Sequence, residues 1–358
     1  VFRYGIEHEL ALQHADGRFA DPGTVSFDAL QAVVDLLPED PADYPALRIG
    51  DAGIKRKRWY VEGYERFDDE GRLVRCDPKG LEIRTRIHDS VAAAVAALRA
   101  DRALLDVELA ARGLRSCPVA FHPTRTQYAV APPLNAWERA HRQGSPEERT
   151  AHLHMLTFGP DLNLSGAADP VDVARKLTHY SPWLVPLSFS SPFRAGGPWG
   201  GLSARTAVRT GARPAVLVFG DAAQHEPSDP SLTQVARLPA ERGRVEFKAF
   251  DAIHDPDLYG ELLSLLTGLA LDQTLPGRAT VPDAAAHRHV ARTGLRDDAV
   301  HAGTGELLDA AERACADRPD DLARLAALRD RWGRRHCAAL DLLAAYEAGE
   351  EVAGLRAG

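Results

Sequence analysis

The chain has 358 residues, 45% of them hydrophobic and 26% charged, which suits one large or two modest globular domains with a real core. Lys and Arg number 43 against 51 Asp and Glu, and the net charge of −8 argues against nonspecific binding to nucleic acid or an anionic membrane. An anionic substrate therefore needs a local basic pocket or metal ions.

The four cysteines, Cys76, Cys117, Cys315 and Cys337, form no C-x-x-C pair and suggest no disulfide framework. The sequence shows no signal-peptide pattern and no apolar run long enough to span a bilayer, so a cytoplasmic protein is expected.

In chain order, Phe2 to Leu12 reads as a strand and Phe27 to Leu37 as a helix stopped by Pro38. Lys55 to Phe67 and Leu73 to Ile87 read as strands joined by the turn signal Asp68-Asp69-Glu70-Gly71. Asp89 or Ser90 caps a long helix that ends near Arg112, with Gly113 as its natural C′ residue. Ser116 to Ala131 reads extended, and a polar helix follows over Asn135 to Gln143. Asp161 to Ser165 alternates like a strand, and Asp169-Pro170 opens a helix through Tyr180. Ala195 to Ala212, Gly-rich with two arginines, is expected to be a mobile functional loop. Pro214 to Gly220 and Arg244 to Ala252 read as short strands, and the chain is helical from Asp255 onward, with breaks at Pro276, Pro282 and Pro319. Hairpin signals outnumber βαβ units, which favours an α+β fold with a largely antiparallel sheet.

The chemistry-bearing residues are acidic. Glu7 and Glu9 sit two apart in Gly5-Ile6-Glu7-His8-Glu9-Leu10, so a strand points both to one face. Apolar flanks make that strand half-buried, and buried carboxylates need a partner; a hard cation such as Mg²⁺ is a natural one. Glu82, in Asp77 to Thr85, and Glu246, in Arg244 to Asp251, lie between apolar neighbours in the same way. Each alone reads as a salt-bridged strand residue; an antiparallel sheet could bring all of them to one concave face. His152-Leu153-His154 is a weak zinc signal, because residues two apart diverge on a helix. No P-loop and no nucleophile elbow is present. The Trp332, Leu340, Leu343 and Tyr346 stripe reads as packing.

Several of these segments, taken in order over about residues 2 to 300, resemble the glutamate–cysteine ligase family. Gly5 to Glu9 resembles its opening G-x-E-x-E strand, and Asp161 to Ser165 its central strand with an Asn. Leu187 to Phe193 is similar to its S-P-F segment, and Gly201 to Arg205 to the Ser- and Arg-bearing stretch that follows. Arg244 to Asp251 resembles its E-x-R strand, with Lys248 in place of Arg, and Ala291 to Leu295 its A-R-x-G-L helix. The basic aromatic segment Lys55 to Tyr64 matches no family motif.

The resemblance implies a glutamine-synthetase-like curved sheet forming a funnel, with a catalytic part over residues 1–300 and a helical extension over 301–358 packed on it. It implies ATP as co-substrate, Mg²⁺ or alternatively Mn²⁺ as the metal, and amino acids as the other partners. The implied metal ligands are Glu7, Glu9, Glu82 and Glu246, with Asp161 and Asp77 added. Arg205 and Arg209 are candidates to hold the transferring phosphoryl group. Arg84, Asn163, Ser203, Lys248 and Arg292 are candidates for substrate or ATP contact. Ion pairing on the surface or between helices is the plain alternative for Arg205, Arg209 and Arg292. The activity implied is glutamate–cysteine ligation or a close carboxylate–amine ligation. A phosphotransferase of the same superfold, or a non-catalytic relative that binds an amino acid or nucleotide, are the alternatives.

Overall fold

The computed structural model describes residues 1–44, 55–117, 119–209 and 211–350. The strands are β1 (Arg3–His14), β2 (Phe19–Ala20), β3 (Trp59–Phe67), β4 (Leu73–Arg84), β5 (Leu114–Cys117), β6 (Pro160–Ser165), β7 (Phe193–Arg194), β8 (Gly197–Pro198), β9 (Val216–Gly220), β10 (Thr233–Val235) and β11 (Val245–Phe247). The helices are α1 (Phe27–Leu36), α2 (Val91–Ala110), α3 (Ala136–Arg142), α4 (Pro146–Arg149), α5 (Pro170–Leu184), α6 (Ala204–Arg209), α7 (Pro256–Leu271), α8 (Ala284–Thr293), α9 (Asp298–Ala314), α10 (Pro319–Gly333) and α11 (Ala338–Glu347).

One sheet organises the molecule, in the order β10-β9-β11-β6-β1-β4-β3, with β2 and β5 paired to the far half of β1. Every pairing in it is antiparallel except β10 with β9. It curls into a half-barrel, and the fold is α+β.

Strand alternation separates the two faces. Tyr4, Ile6, His8 and Leu10 of β1 point one way with Leu162, Leu164, Ile83, Trp59, Phe247 and Val218, and all are buried. Helices α2, α5 and α7 cover that apolar face. Helix α7 is buried almost all round, with Leu262, Leu263, Leu265, Leu266 and Leu269 fully enclosed, because α9 and α10 pack on its other side. Each enclosed leucine contributes about 1.5–3 kcal/mol by leaving water. A buried Ser264 Oγ donates to Asp321 at 2.6 Å, tying α7 to α10. The other face of the sheet is left open for chemistry.

Local signals act where expected. Ser90 caps α2, Gly113 closes it at φ 68°, and Asn135 and Glu138 form a reciprocal capping box on α3. The extended reading of Ser116 to Ala131 shrinks to Leu114–Cys117, since the prolines beyond it lack the N–H a ladder needs. The strand expected over Arg244 to Ala252 is only Val245–Phe247, because the chain then turns Asp251 into the interior. Ala195 to Ala212 is not one open loop: it holds β8, which pairs with β7 just before it, and α6. All four cysteines are buried and free. No described helix is long and apolar enough to cross a membrane.

Candidate active site

The polar face of the sheet is acidic by register. Glu9 lies opposite Glu82, and Glu82 lies opposite Tyr60. Glu7 lies opposite both Arg84 and Asp161, while Asn163 lies opposite both Gly5 and Glu246. Directly paired residues share a face, so Glu7, Glu9, Glu82, Asp161, Asn163 and Glu246 all point into one cleft of about 450 Å³. Glu62, two residues beyond Tyr60, joins them.

Glu9, Glu62 and Glu82 each present an oxygen within 4.8 Å of the others. Lys79 donates to Glu9 at 2.5 Å, the Gly159 amide donates to its second oxygen at 2.9 Å, and Lys55 donates to Glu62 at 2.8 Å. Burial, then the charge of Glu62, pushes Glu82 well above the ordinary carboxyl range. Burial alone would raise Glu62 too, but the charges of Lys55 and Lys79 outweigh it and hold that carboxyl below its ordinary value. Three carboxyl groups crowded at this range are the setting in which a positive ion belongs.

Glu7, Asp161 and Glu246 form a second acidic set. Lys248 bonds both Asp161 and Glu246, the latter at 2.6 Å. Arg244 reaches Glu7 and Glu246 at 3.2 Å each and lies over the Phe219 ring at 4.0 Å. Asn163 Nδ2 donates to Glu7 at 3.4 Å, while its buried Oδ1 has no partner. Arg84 lines the cleft, donates to the Lys55 and Lys57 carbonyls at 2.5 and 3.2 Å, and stacks on Tyr60.

Arg205, Arg209 and Arg213 line the same cleft, and their spacing of four brings them from α6 and the turn after it. Arg205 is 2% exposed and donates to the carbonyls of Lys248 and Ala249 at 3.0 and 3.2 Å. Gly159 packs against its guanidinium so closely that any Cβ there would collide with it. Arg209 also donates to the Lys248 carbonyl, at 2.8 Å. Burial, then the charges of Arg205 and Arg213, lowers Arg209 well below the ordinary guanidinium value. Stacked cations of this kind call for an anion.

Behind α6 sits Asp251, fully buried. It accepts from the Ser190 amide at 3.0 Å, from Ser191 Oγ at 2.8 Å and from Ser203 Oγ at 2.9 Å. Ser203 in turn accepts from the Thr206 amide at 2.9 Å. This network holds the start of the arginine-bearing helix.

Four of the residues singled out in the sequence lie in other surroundings than expected. Asp77 does not line the cleft; it pairs with Arg66 and Arg75 at 3.6 and 3.2 Å and accepts from Tyr128 at 2.9 Å. Ser203 is enclosed in the Asp251 network and touches no open space. Arg292 is exposed over Trp199 at 5.3 Å, outside the cleft. Arg205, expected in a mobile loop, is instead buried on a helix. Conversely, Glu62, Lys79, Arg213 and Arg244 line the cleft and were not singled out. The unmapped segment Lys55 to Tyr64 supplies Lys55, Tyr60 and Glu62 to it, while Lys57 caps the carbonyl end of α1. Its alternation around Tyr60 and Glu62 was the available signal. His152 and His154 fall around a short 3-10 turn (Leu153–Leu156), their rings 6.3 Å apart, and of the two only His154 lines the cleft.

Comparison with known structures agrees with this architecture. A bifunctional glutathione synthetase from Pasteurella multocida superposes with a TM-score of 0.61 at 12% identity, over 99% of this chain and 51% of that one. The chain thus spans about half the length of that protein. A glutamate–cysteine ligase from Francisella tularensis, solved in complex with AMP, gives a TM-score of 0.53 at 11% identity, over 98% of this chain and 85% of that one. At such identities the likeness shows the fold. A sequence comparison with curated proteins gives no match. The family profile described as glutamate-cysteine ligase family 2 matches residues 3–227, which include β1, β4, β6 and α6 but not Glu246 or Lys248. That match covers well over half of the sequence, and the chain belongs to glutamate-cysteine ligase family 2.

Proposed function

We propose that the chain is an ATP- and Mg²⁺-dependent carboxylate–amine ligase, joining glutamate, or a close amino acid, to cysteine or another amine through an acyl phosphate. The observation that carries this reading is one cleft lined by both the Glu9–Glu62–Glu82 cluster and the Arg205–Arg209–Arg213 row. A carboxylate is a poor acyl donor, and phosphoryl transfer to it brings anions together. Oxygen donors so close, with the Glu82 carboxyl pushed above its ordinary range by burial and by Glu62, fit a hard divalent cation. When bound, Mg²⁺ would neutralise phosphate charge beside the reacting carboxylate.

The chain's own residues do the rest. Arg205 and Arg209 hold the transferring phosphoryl oxygens, with Arg213 beside them. Asn163 Oδ1, buried without a partner, is an acceptor for a substrate N–H. A carboxylate oxygen of the acid attacks the γ-phosphorus and ADP leaves. The amine then attacks the acyl carbon, phosphate leaves, and the amine gives up a proton. We place this chemistry in residues 1–300, with 301–358 as a helical extension.

The testing experiment is a panel of acids and amines scored by phosphate release from ATP with Mg²⁺. Phosphate release that requires both an acid and an amine supports the reading. ADP formed with one acceptor and no free phosphate would point to a phosphotransferase, and no turnover with any pair to a binding protein.

A further inference from the structure

We propose that Lys248 is a built-in cation that takes the charge position of a metal ion among Glu7, Asp161 and Glu246, so that the nucleotide-free chain holds a single divalent ion, at Glu9, Glu62 and Glu82. This rests on the reading that the cleft binds a divalent cation.

The two acidic sets are equal in size and differ in how they are neutralised. In the first, Glu9 has Lys79 and Glu62 has Lys55, but Glu82 has no ion pair among the described residues. Its oxygen stays within 4.8 Å of the other two carboxylates with no cation of its own. In the second set every carboxylate is matched. Asp161 has Lys248, Glu246 has Lys248 at 2.6 Å and Arg244 at 3.2 Å, and Glu7 has Arg244 at 3.2 Å.

One ammonium joining two carboxylates from neighbouring strands does what a divalent ion does between strands. Lysine suits this better than arginine, because its charge is a compact point with three donors rather than a planar fork. The Lys248 main chain is also fixed. Its amide donates to the Ala215 carbonyl at 2.8 Å, and its carbonyl accepts from Arg205 and Arg209. A divalent ion entering this set would meet a cation on every ligand, and like charges at that range repel, whereas Glu82 gives the first set one carboxylate with no ion pair among the described residues.

Mn²⁺ binding to the nucleotide-free protein, followed by the electron paramagnetic resonance signal of free Mn²⁺, tests this. The natural chain should bind one ion. Lys248→Ala should bind a second, Lys248→Arg should stay at one, and Lys248→Ala combined with Glu82→Gln should return to one. Circular dichroism checks each variant, and Lys248→Gln replaces Lys248→Ala if the latter does not fold. A natural chain that binds two ions, or a folded Lys248→Ala that gains none, overturns the proposal and leaves the cation reading standing. A natural chain that binds none overturns both.

Discussion

Glu9 and Glu82 are direct partners across the β1–β4 ladder, so the sheet itself sets one acid against another. With Glu62 they make a cluster that no described cation neutralises at Glu82. Glu82→Gln keeps the shape of the protonated form, so the metal-free protein should fold as well as the natural one. On the proposed metal reading it removes a ligand, and losing the ion forfeits several kcal/mol of charge stabilisation. Turnover should fall by at least roughly a hundredfold. Activity and Mn²⁺ titrations on the same sample check this; unchanged metal affinity would remove Glu82 from the site.

The raised Glu82 carboxyl gives a pH dependence. Its folded value lies above the ordinary 4.5, so the folded state binds this proton more tightly than the unfolded chain. The stability it contributes is full below that ordinary value and is lost as pH rises through the folded value. Natural minus Glu82→Gln melting temperature, measured without metal, should therefore fall as pH rises above 4.5. On the proposed metal reading, binding of the ion competes with protonation of the same carboxyl. Calorimetry in buffers of different ionisation enthalpy should show proton release for the natural chain below the folded value and little for Glu82→Gln. A melting difference that rises with pH would contradict the assignment.

The sheet and its acids were legible in the sequence because strand alternation is local. Glu82 and Glu246 each sit between apolar neighbours, Glu7 and Glu9 lie on a strand flanked by Ile6 and Leu10, and the register turns all of them into one cleft. What was not legible depends on which strands become neighbours. Glu62 reads as one charge in a basic hairpin until β3 pairs with β4 and places it beside Glu82. Asp77 has the same kind of local setting, yet the pairing irregularity at Glu62/Gly63 lies between it and Glu82, and it ends among arginines. Glycines around Arg205 suggested a mobile loop; here Gly159, remote in sequence, makes room for its guanidinium.

That burial changes what Arg205 can test. Arg205→Ala leaves the Ala249 carbonyl without its donor and the Lys248 carbonyl with Arg209 alone, and a buried bond to a charged group is worth about 1.5–3 kcal/mol. It should lower the melting temperature as well as turnover. Arg209→Ala is the cleaner probe, because it relieves repulsion from Arg205 and Arg213. Its turnover should fall roughly a hundred- to thousandfold with the melting temperature held or raised. Near-normal turnover at saturating substrate would count against a role in holding the phosphoryl group.

Two residues should separate support from contact. Ser203→Ala removes a bond to buried Asp251 and should cost about 1–3 kcal/mol of stability, while the Michaelis constants of the surviving folded enzyme change little. Arg292→Ala, exposed and outside the cleft, should leave both stability and kinetics near natural values. A large rise in the Michaelis constant for ATP in Arg292→Ala would place a substrate where the cleft does not reach.

The most direct test follows an oxygen atom. With ¹⁸O in the carboxylate of the acid, a complete reaction with ATP, Mg²⁺ and amine should move one label into the released phosphate. That transfer requires the carboxylate oxygen to attack the γ-phosphorus, and neither ATP hydrolysis nor phosphorylation of a guanidine can reproduce it. Glutamate and cysteine come first, and then other amines, because Lys248 stands in the place of an Arg only by sequence resemblance, outside the residues that the family profile matches. Labelled phosphate formed in step with amide is the expected result; amide formed with no label in the phosphate would contradict the acyl-phosphate mechanism.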